Sequence, residues 1–265
     1  MMNITKTIRF FLPKPLEDFL DKSVLNHAYM NTRALSWKIK DCLYCNIFRR
    51  DLLNLQKKVR WQLFLQKKKW PHHSYASGYF YQGFKAVGIT GKRSTEERYI
   101  EYEMDSWLSP QNNVLEVGAN SGFFSIKMVL EKGCFVDAVE LNPYLVEIGK
   151  LTADYFKVQD KISFFQENFL SFKAKKKYDV ILSFANHYTT DGNLRVELIS
   201  YFKLLRSFLV DDGLLLFESH QKDCDSQEFL YAMKNIDENF RVIKSKHIEK
   251  YERLFYVLKK INSPQ

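Results

Sequence analysis

The stretch Val114-Leu115-Glu116-Val117-Gly118-Ala119-Asn120-Ser121-Gly122 reads as an apolar strand that ends in a Gly-x-x-x-Gly turn and opens a helix over 122–132. Glycine suits that turn because the backbone must bend sharply and approach a ligand closely, which a Cβ would obstruct. Glu140 follows Gly118 by 22 residues and closes the next apolar run, Phe135–Glu140. A carboxylate at that strand end can accept both hydroxyl protons of a ribose. Turn and acid together predict a site for a nucleoside-bearing ligand.

Outward from this stretch, apolar runs alternate with segments of helical length. Further strands are expected at Ile162–Gln166, Tyr178–Phe184, Leu214–Glu218, Phe240–Lys244 and Leu254–Leu258, and helices at 122–132, 143–156, 193–208 and 226–235. Strand alternating with helix implies parallel pairing with right-handed crossovers and a sheet covered on both faces. The last two runs have no long helix between them and should form an antiparallel pair at one edge. The fold class is therefore α/β, a doubly wound, mostly parallel seven-stranded sheet with an antiparallel C-terminal pair, preceded by a helical extension.

The residues 113–220 resemble the class I S-adenosylmethionine-dependent methyltransferase family, and strand order extends the likeness to about 260. The resemblance implies S-adenosylmethionine as cofactor. It places Glu116, Gly118, Asn120 and Gly122 around the amino-acid part, Glu140 on the ribose, Asn168 near the adenine with Phe169 beside it, and Ser183 at the end of the fourth strand. The family often has glycine where this chain has Asn120, but asparagine tolerates positive φ better than most side chains. A nicotinamide-dependent dehydrogenase is the competing reading of the same turn. Such enzymes use Gly-x-Gly-x-x-Gly to seat a pyrophosphate on a helix N-terminus, and the middle glycine is missing here.

Beyond the fourth strand, Ser183-Phe-Ala-Asn186-His187-Tyr188-Thr-Thr-Asp191 puts polar groups on the rim over which ligands bind in open α/β sheets. His187 is a candidate base for an acceptor proton, or a structural hydrogen-bonding residue; Asn186 is a candidate orienting group. After the fifth strand, Glu218 and His220 either line the acceptor pocket or cap the next helix and face water. Upstream, Tyr81-Gln-Gly-Phe84 and Gly91-Lys-Arg93-Ser-Thr95-Glu-Glu-Arg98 bring aromatic and basic groups just ahead of the domain. Similar segments in some bacterial methyltransferases of this class close over the cofactor carboxylate or an anionic acceptor, so Tyr81, Arg93 and Arg98 are candidate substrate-binding residues. Thr95 is the expected cap of the following helix.

The 265 residues divide into a helical, basic extension over 1–70, a loop-rich connector or lid over 71–98, and a catalytic domain over 99–265. Residues 1–95 hold 18 Lys+Arg against 5 Asp+Glu, and the remainder 22 against 26, so the whole excess behind the net charge of +9 lies N-terminal. Leu16, Phe19, Leu20, Val24, Leu52, Leu55, Val59 and Leu63 recur at helical steps up to Trp70. Lys57, Lys58, Arg60, Lys67, Lys68 and Lys69, with Trp61 and Phe64, make the last part a basic amphipathic segment. It suits RNA or an anionic membrane surface, or is a solvated helix face. No apolar run reaches the ~18 residues of a membrane span, and Met1 to Phe11 is too short and too charged for a secretory signal. The expected location is cytoplasmic, with peripheral contact at the inner face of the membrane open. Cys42 and Cys45 read as two buried thiols on one helix face rather than half of a zinc site, and no metal site is expected. The acceptor read from the rim is a small molecule or a glycan, such as the sugar or phosphate of a surface saccharide. RNA and a non-catalytic binding role are the alternatives.

Overall fold

The computed structural model describes residues 24–70, 78–187, 196–220 and 226–261. Leu16, Phe19, Leu20, Cys224 and the segment Tyr188–Asp191 lie outside them. The chain separates into two compact units, Met1–Arg50 and Asp51–Gln265. In the first, helix α1 (Val24–Phe48) carries Cys42 exposed and Cys45 buried, so the expectation of two buried thiols holds only for the second. The larger unit begins upstream of the boundary expected at residue 70. The reason is helix α2 (Leu53–Lys69), whose Leu55, Val59 and Leu63 are buried and which packs along α5 (Pro143–Phe156). Tyr155 donates to Asp51, and Gln56 to the carbonyls of Val87 and Gly88, at 2.8, 2.9 and 2.7 Å.

A short parallel pair, β1 (Gln82–Gly83) and β2 (Arg93–Ser94), precedes helix α3 (Thr95–Glu101). Ser94, not the expected Thr95, caps that helix by accepting from Glu97 N at 3.2 Å, with Glu96 and Glu97 in the positive first turn. Then come β3 (Asn113–Val117), α4 (Phe123–Lys132), β4 (Phe135–Glu140), α5, β5 (Ile162–Gln166), β6 (Tyr178–Phe184), α6 (Leu198–Phe208), β7 (Leu209–Glu218), α7 (Gln227–Lys234), β8 (Phe240–Ile248) and β9 (Arg253–Lys260). The nearly continuous apolar runs of β3, β4 and β6 are what strands covered on both faces require. Asn142 caps α5 ahead of Pro143, whose fixed φ suits the first helical position.

The sheet order is β5-β4-β3-β6-β7-β9-β8, parallel except for β9, which is antiparallel to both β7 and β8. This is the seven-stranded, doubly wound sheet read from the sequence. The terminal strands are longer than expected, and β7 begins at Leu209 rather than Leu214, with an irregularity where it passes Tyr178 and Val180. Leu115, Val117, Ile181, Leu215 and Phe217 face one core with α6 and α7. The alternate residues Glu116, Glu140 and Glu218 therefore share the opposite face. Strand order reverses between β3 and β6, so the ligand crevice is expected outside their carboxyl ends.

Candidate functional site

The turn after β3 is built as a bare backbone cradle. Gly118, Asn120 and Gly122 all have positive φ, at 66°, 54° and 68°. A Cβ on Gly122 would come within 2.5 Å of the Phe164 ring, so that glycine is required by space as well as by conformation; at Gly118, where a Cβ would meet Asn186 Cβ at 3.0 Å, the positive φ is the main demand. Glu140 fixes this turn to its neighbour: Oε2 accepts from Asn120 N and Oε1 from Asn142 N, each at 2.9 Å. The Asn120 Nδ2 is buried with no partner among the described residues.

Glu116 lies beneath the turn, buried, and accepts from the Ser125 hydroxyl. Burial pushes its carboxyl up to about 7 against that hydrogen bond and the nearby Arg98 charge. Gln82 reaches the same turn from outside the sheet, donating to Ala119 O at 3.2 Å and accepting from Phe123 N at 3.1 Å. Sequence reading singled out its segment but not this residue, because nothing local marks an amide that bonds 37 and 41 residues away.

At the end of β6, Asn186 donates to Val117 O, and its Oδ1 accepts from Ser183 at 2.8 Å and from Tyr201 at 2.9 Å. Both ends of its amide thus brace the loop against β3 and α6. His187 follows, its ring 5.4 Å from that of Phe217 and 6.0 Å from Tyr201. Asn168 spends its carbonyl oxygen capping a short turn, accepting from Leu170 N at 3.0 Å. The structure puts the Phe169 ring in the core against Tyr201 and Phe208 rather than on the rim. Among the described residues no group of three His, Cys, Asp or Glu side chains is placed to hold a metal.

Glu218 neither faces water nor caps a helix. Its exposure is 0%, and three arginines converge on it: Arg93 and Arg253 at 3.1 Å and Arg98 at 3.5 Å. Burial alone would raise its carboxyl, but those charges hold it below the usual carboxylate range. Arg93, 1% exposed, also donates to Tyr102 at 3.0 Å and lies 3.6 Å over the Tyr251 ring. Arg98 sits among Tyr102, Phe124 and Phe184. Burial would raise the Tyr81 phenol as well, yet Arg253, Arg93 and Arg98 outweigh it and bring the phenol below its ordinary value. Arg253, Tyr102 and Tyr251 were not legible in the sequence, since each joins the cluster only through strand pairing and helix packing. His220 lies just past the end of β7, partly exposed.

A methyltransferase domain family model matches residues 95–256. Over 124 residues the chain is 27% identical to a bifunctional methyltransferase of Rickettsia bellii, covering 44% of this chain and 22% of that one. Over 174 residues it is 27% identical to malonyl-[acyl-carrier protein] O-methyltransferase 1 of Ilyobacter polytropus, covering 57% and 62%. The chain thus spans less than two thirds of the length of these curated relatives. The crystal structure of a putative class I S-adenosylmethionine-dependent methyltransferase from Listeria monocytogenes superposes with a TM-score of 0.51 at 14% identity, covering 64% of this chain and 62% of that one. No helix among the described residues is long and apolar enough to cross a membrane. With the family model spanning more than half of its length, and the sheet order and turn found where that fold needs them, the chain belongs to the methyltransferase domain family and has the class I S-adenosylmethionine-dependent fold.

Proposed function

We propose that this chain transfers a methyl group from S-adenosylmethionine to a small-molecule or glycan-type acceptor at the carboxyl ends of β6 and β7. The observation that supports it most is the turn 118–122, which holds three positive-φ residues and is anchored to Glu140 through the Asn120 N–H. Three features fit the cofactor. The cradle carries no side chain at Gly118, the Asn120 amide has an unused buried donor, and the Glu140 carboxylate is held at the end of β4 beside the turn by two backbone N–H groups. When bound, S-adenosylmethionine supplies a methyl group on a sulfonium, open to in-line displacement. The turn would hold its amino-acid end, Glu140 its ribose, and Asn168 would lie toward the adenine.

Holding the reactants in line does most of the work, since alignment accounts for roughly 7 to 11 kcal/mol of such a barrier. Asn186 is a positioning residue, because its amide is committed to Val117, Ser183 and Tyr201. That bracing sets the place of His187, which would take the acceptor proton and contribute about 10²- to 10⁴-fold. His220 would stand across the rim from it.

Calorimetry with S-adenosylhomocysteine tests the site. Binding should be clear in the parent, and Glu140→Ala should weaken it by roughly 1.5 to 3 kcal/mol, about ten- to a hundredfold. Binding of a nicotinamide dinucleotide instead, or full affinity in a folded Glu140→Ala variant, would overturn the reading. Labelled methyl transfer into fractionated extract then separates small-molecule and glycan pools from RNA. Label in RNA would establish the alternative acceptor, and cofactor binding without any transfer a binding module.

A further inference from the structure

Three guanidinium groups share one carboxylate at the carboxyl end of β7, on the sheet face that also carries Glu116 and Glu140. Arg93 and Arg98 are almost wholly buried and Arg253 nearly so. Burying a guanidinium costs several kcal/mol unless an anion offsets it, and one carboxylate cannot offset three. Tyr102 and Tyr251 help by offering a hydroxyl and a ring face, but neither carries charge. Glu116, close enough to feel Arg98, is itself driven toward its neutral form by burial. The Nε of Arg93, of Arg98 and of Arg253 is buried without an acceptor among the described residues. Three planar donor groups with spare N–H bonds around a single carboxylate are therefore short of one oxyanion.

We propose that Arg93, Arg98 and Arg253 form an anion subsite that takes the carboxylate or phosphate of the methyl acceptor, with Glu218 holding the three guanidinium groups in place. This rests on the function proposed above and names its substrate class: an acceptor carrying an anionic oxyacid group. The location agrees, because Glu218 pairs in the sheet with Phe184, two residues before Asn186 and three before His187. An acceptor anchored by its anion beside β7 would have its neutral end within the rim between β6 and β7. Tyr81 adds to the fit. It precedes Gln82, which bonds the cofactor turn, and its phenol is held below its ordinary pKa by the same three arginines, so the segment joins the two subsites. Arginine suits the task because its fork matches both carboxylate and phosphate oxygens.

The test uses the full chain saturated with S-adenosylhomocysteine, titrated by calorimetry with inorganic phosphate, with malonate and with uncharged malonamide. Saturable binding of phosphate or of malonate, but not of malonamide, is expected, and the better of the two tells a phosphorylated acceptor from a carboxylated one. Arg253→Gln, the least buried of the three, should weaken the anion at least tenfold and leave S-adenosylhomocysteine unchanged; Arg253→Lys should recover part of the loss. Three results would overturn the proposal: no anion bound by the cofactor-loaded chain, full anion affinity in folded Arg253→Gln, or displacement of S-adenosylhomocysteine by the anion, which would assign the arginines to the cofactor's own carboxylate. Failure of S-adenosylhomocysteine to bind at all would instead sink the methyltransferase reading, so the two failures are distinct.

Discussion

Helix α2 carries Lys57, Lys58, Lys67, Lys68 and Lys69 on its exposed surface, around a stacked Trp61–Phe64 pair, whereas Arg93, Arg98 and Arg253 are closed in around Glu218. By charge count the helix is the more basic of the two. By energetics it is the weaker feature, because each lysine keeps its water and is screened by salt within about 10 Å, while the arginines have lost theirs. Lys68 sits 4.7 Å over Phe64 and Trp61 remains 56% exposed, an outward arrangement in which long side chains cover apolar surface. Positive charge that attracts diffusely and positive charge that must be met by a specific anion are thus different devices. Only the second leaves buried donors without partners.

The largest effect is expected at Glu218. Glu218→Gln leaves three buried guanidinium groups with no carboxylate, and should cost about 3 to 5 kcal/mol. For a chain of this size that is a fall in melting temperature of roughly 6 to 20 °C. Inorganic phosphate should restore part of the loss in the variant. A melting temperature within 2 °C of the parent, read by calorimetric scanning, would show that the cluster is not desolvated in the way described.

An intermediate effect is expected at Glu116, the one acid on that sheet face with an arginine near but no ion pair. With its carboxyl near 7 when folded and near 4.5 when unfolded, the unfolded chain ionises first. Folding stability should therefore be full below about pH 4.5, fall as pH rises through the window to 7, and level off above it. The loss is roughly 3 kcal/mol. Glu116→Gln should flatten that part of the profile of melting temperature against pH and be the more stable protein at pH 8. An unchanged slope would mean that Glu116 ionises normally.

The smallest effect belongs to α2. Replacing Lys57, Lys58, Arg60, Lys67, Lys68 and Lys69 with glutamine should shift stability by only a few tenths of a kcal/mol per site, and should leave methylation of the acceptor intact. The parent would contradict this by binding single-stranded RNA with a log–log salt slope near −0.7 per phosphate contact. Binding to anionic vesicles that falls by about 1 kcal/mol for each residue replaced would contradict it equally.

The residues Val114–Gly122 and Glu140 declared the fold because local chemistry alone constrains them. An apolar strand, a turn that needs positive φ and an acidic residue at the next strand end are properties of short stretches, and the parallel pairing followed from their alternation with helices. Ser94 shows the limit of that reading: cap and neighbour are both hydroxyl residues, and only the backbone course made Ser94 the acceptor for Glu97 N. Phe169 shows another, since its place in the core depended on Tyr201 and Phe208 arriving from α6. What only the tertiary structure decided was the meaning of the arginines. Arg93, Arg98, Glu218 and Arg253 are separated by up to 160 positions, from 93 to 253, and meet because β7 pairs with β9 while β2 and α3 fold back over the sheet. Burial and the partners a charge finds are properties of that assembly, and no sequence window contains them.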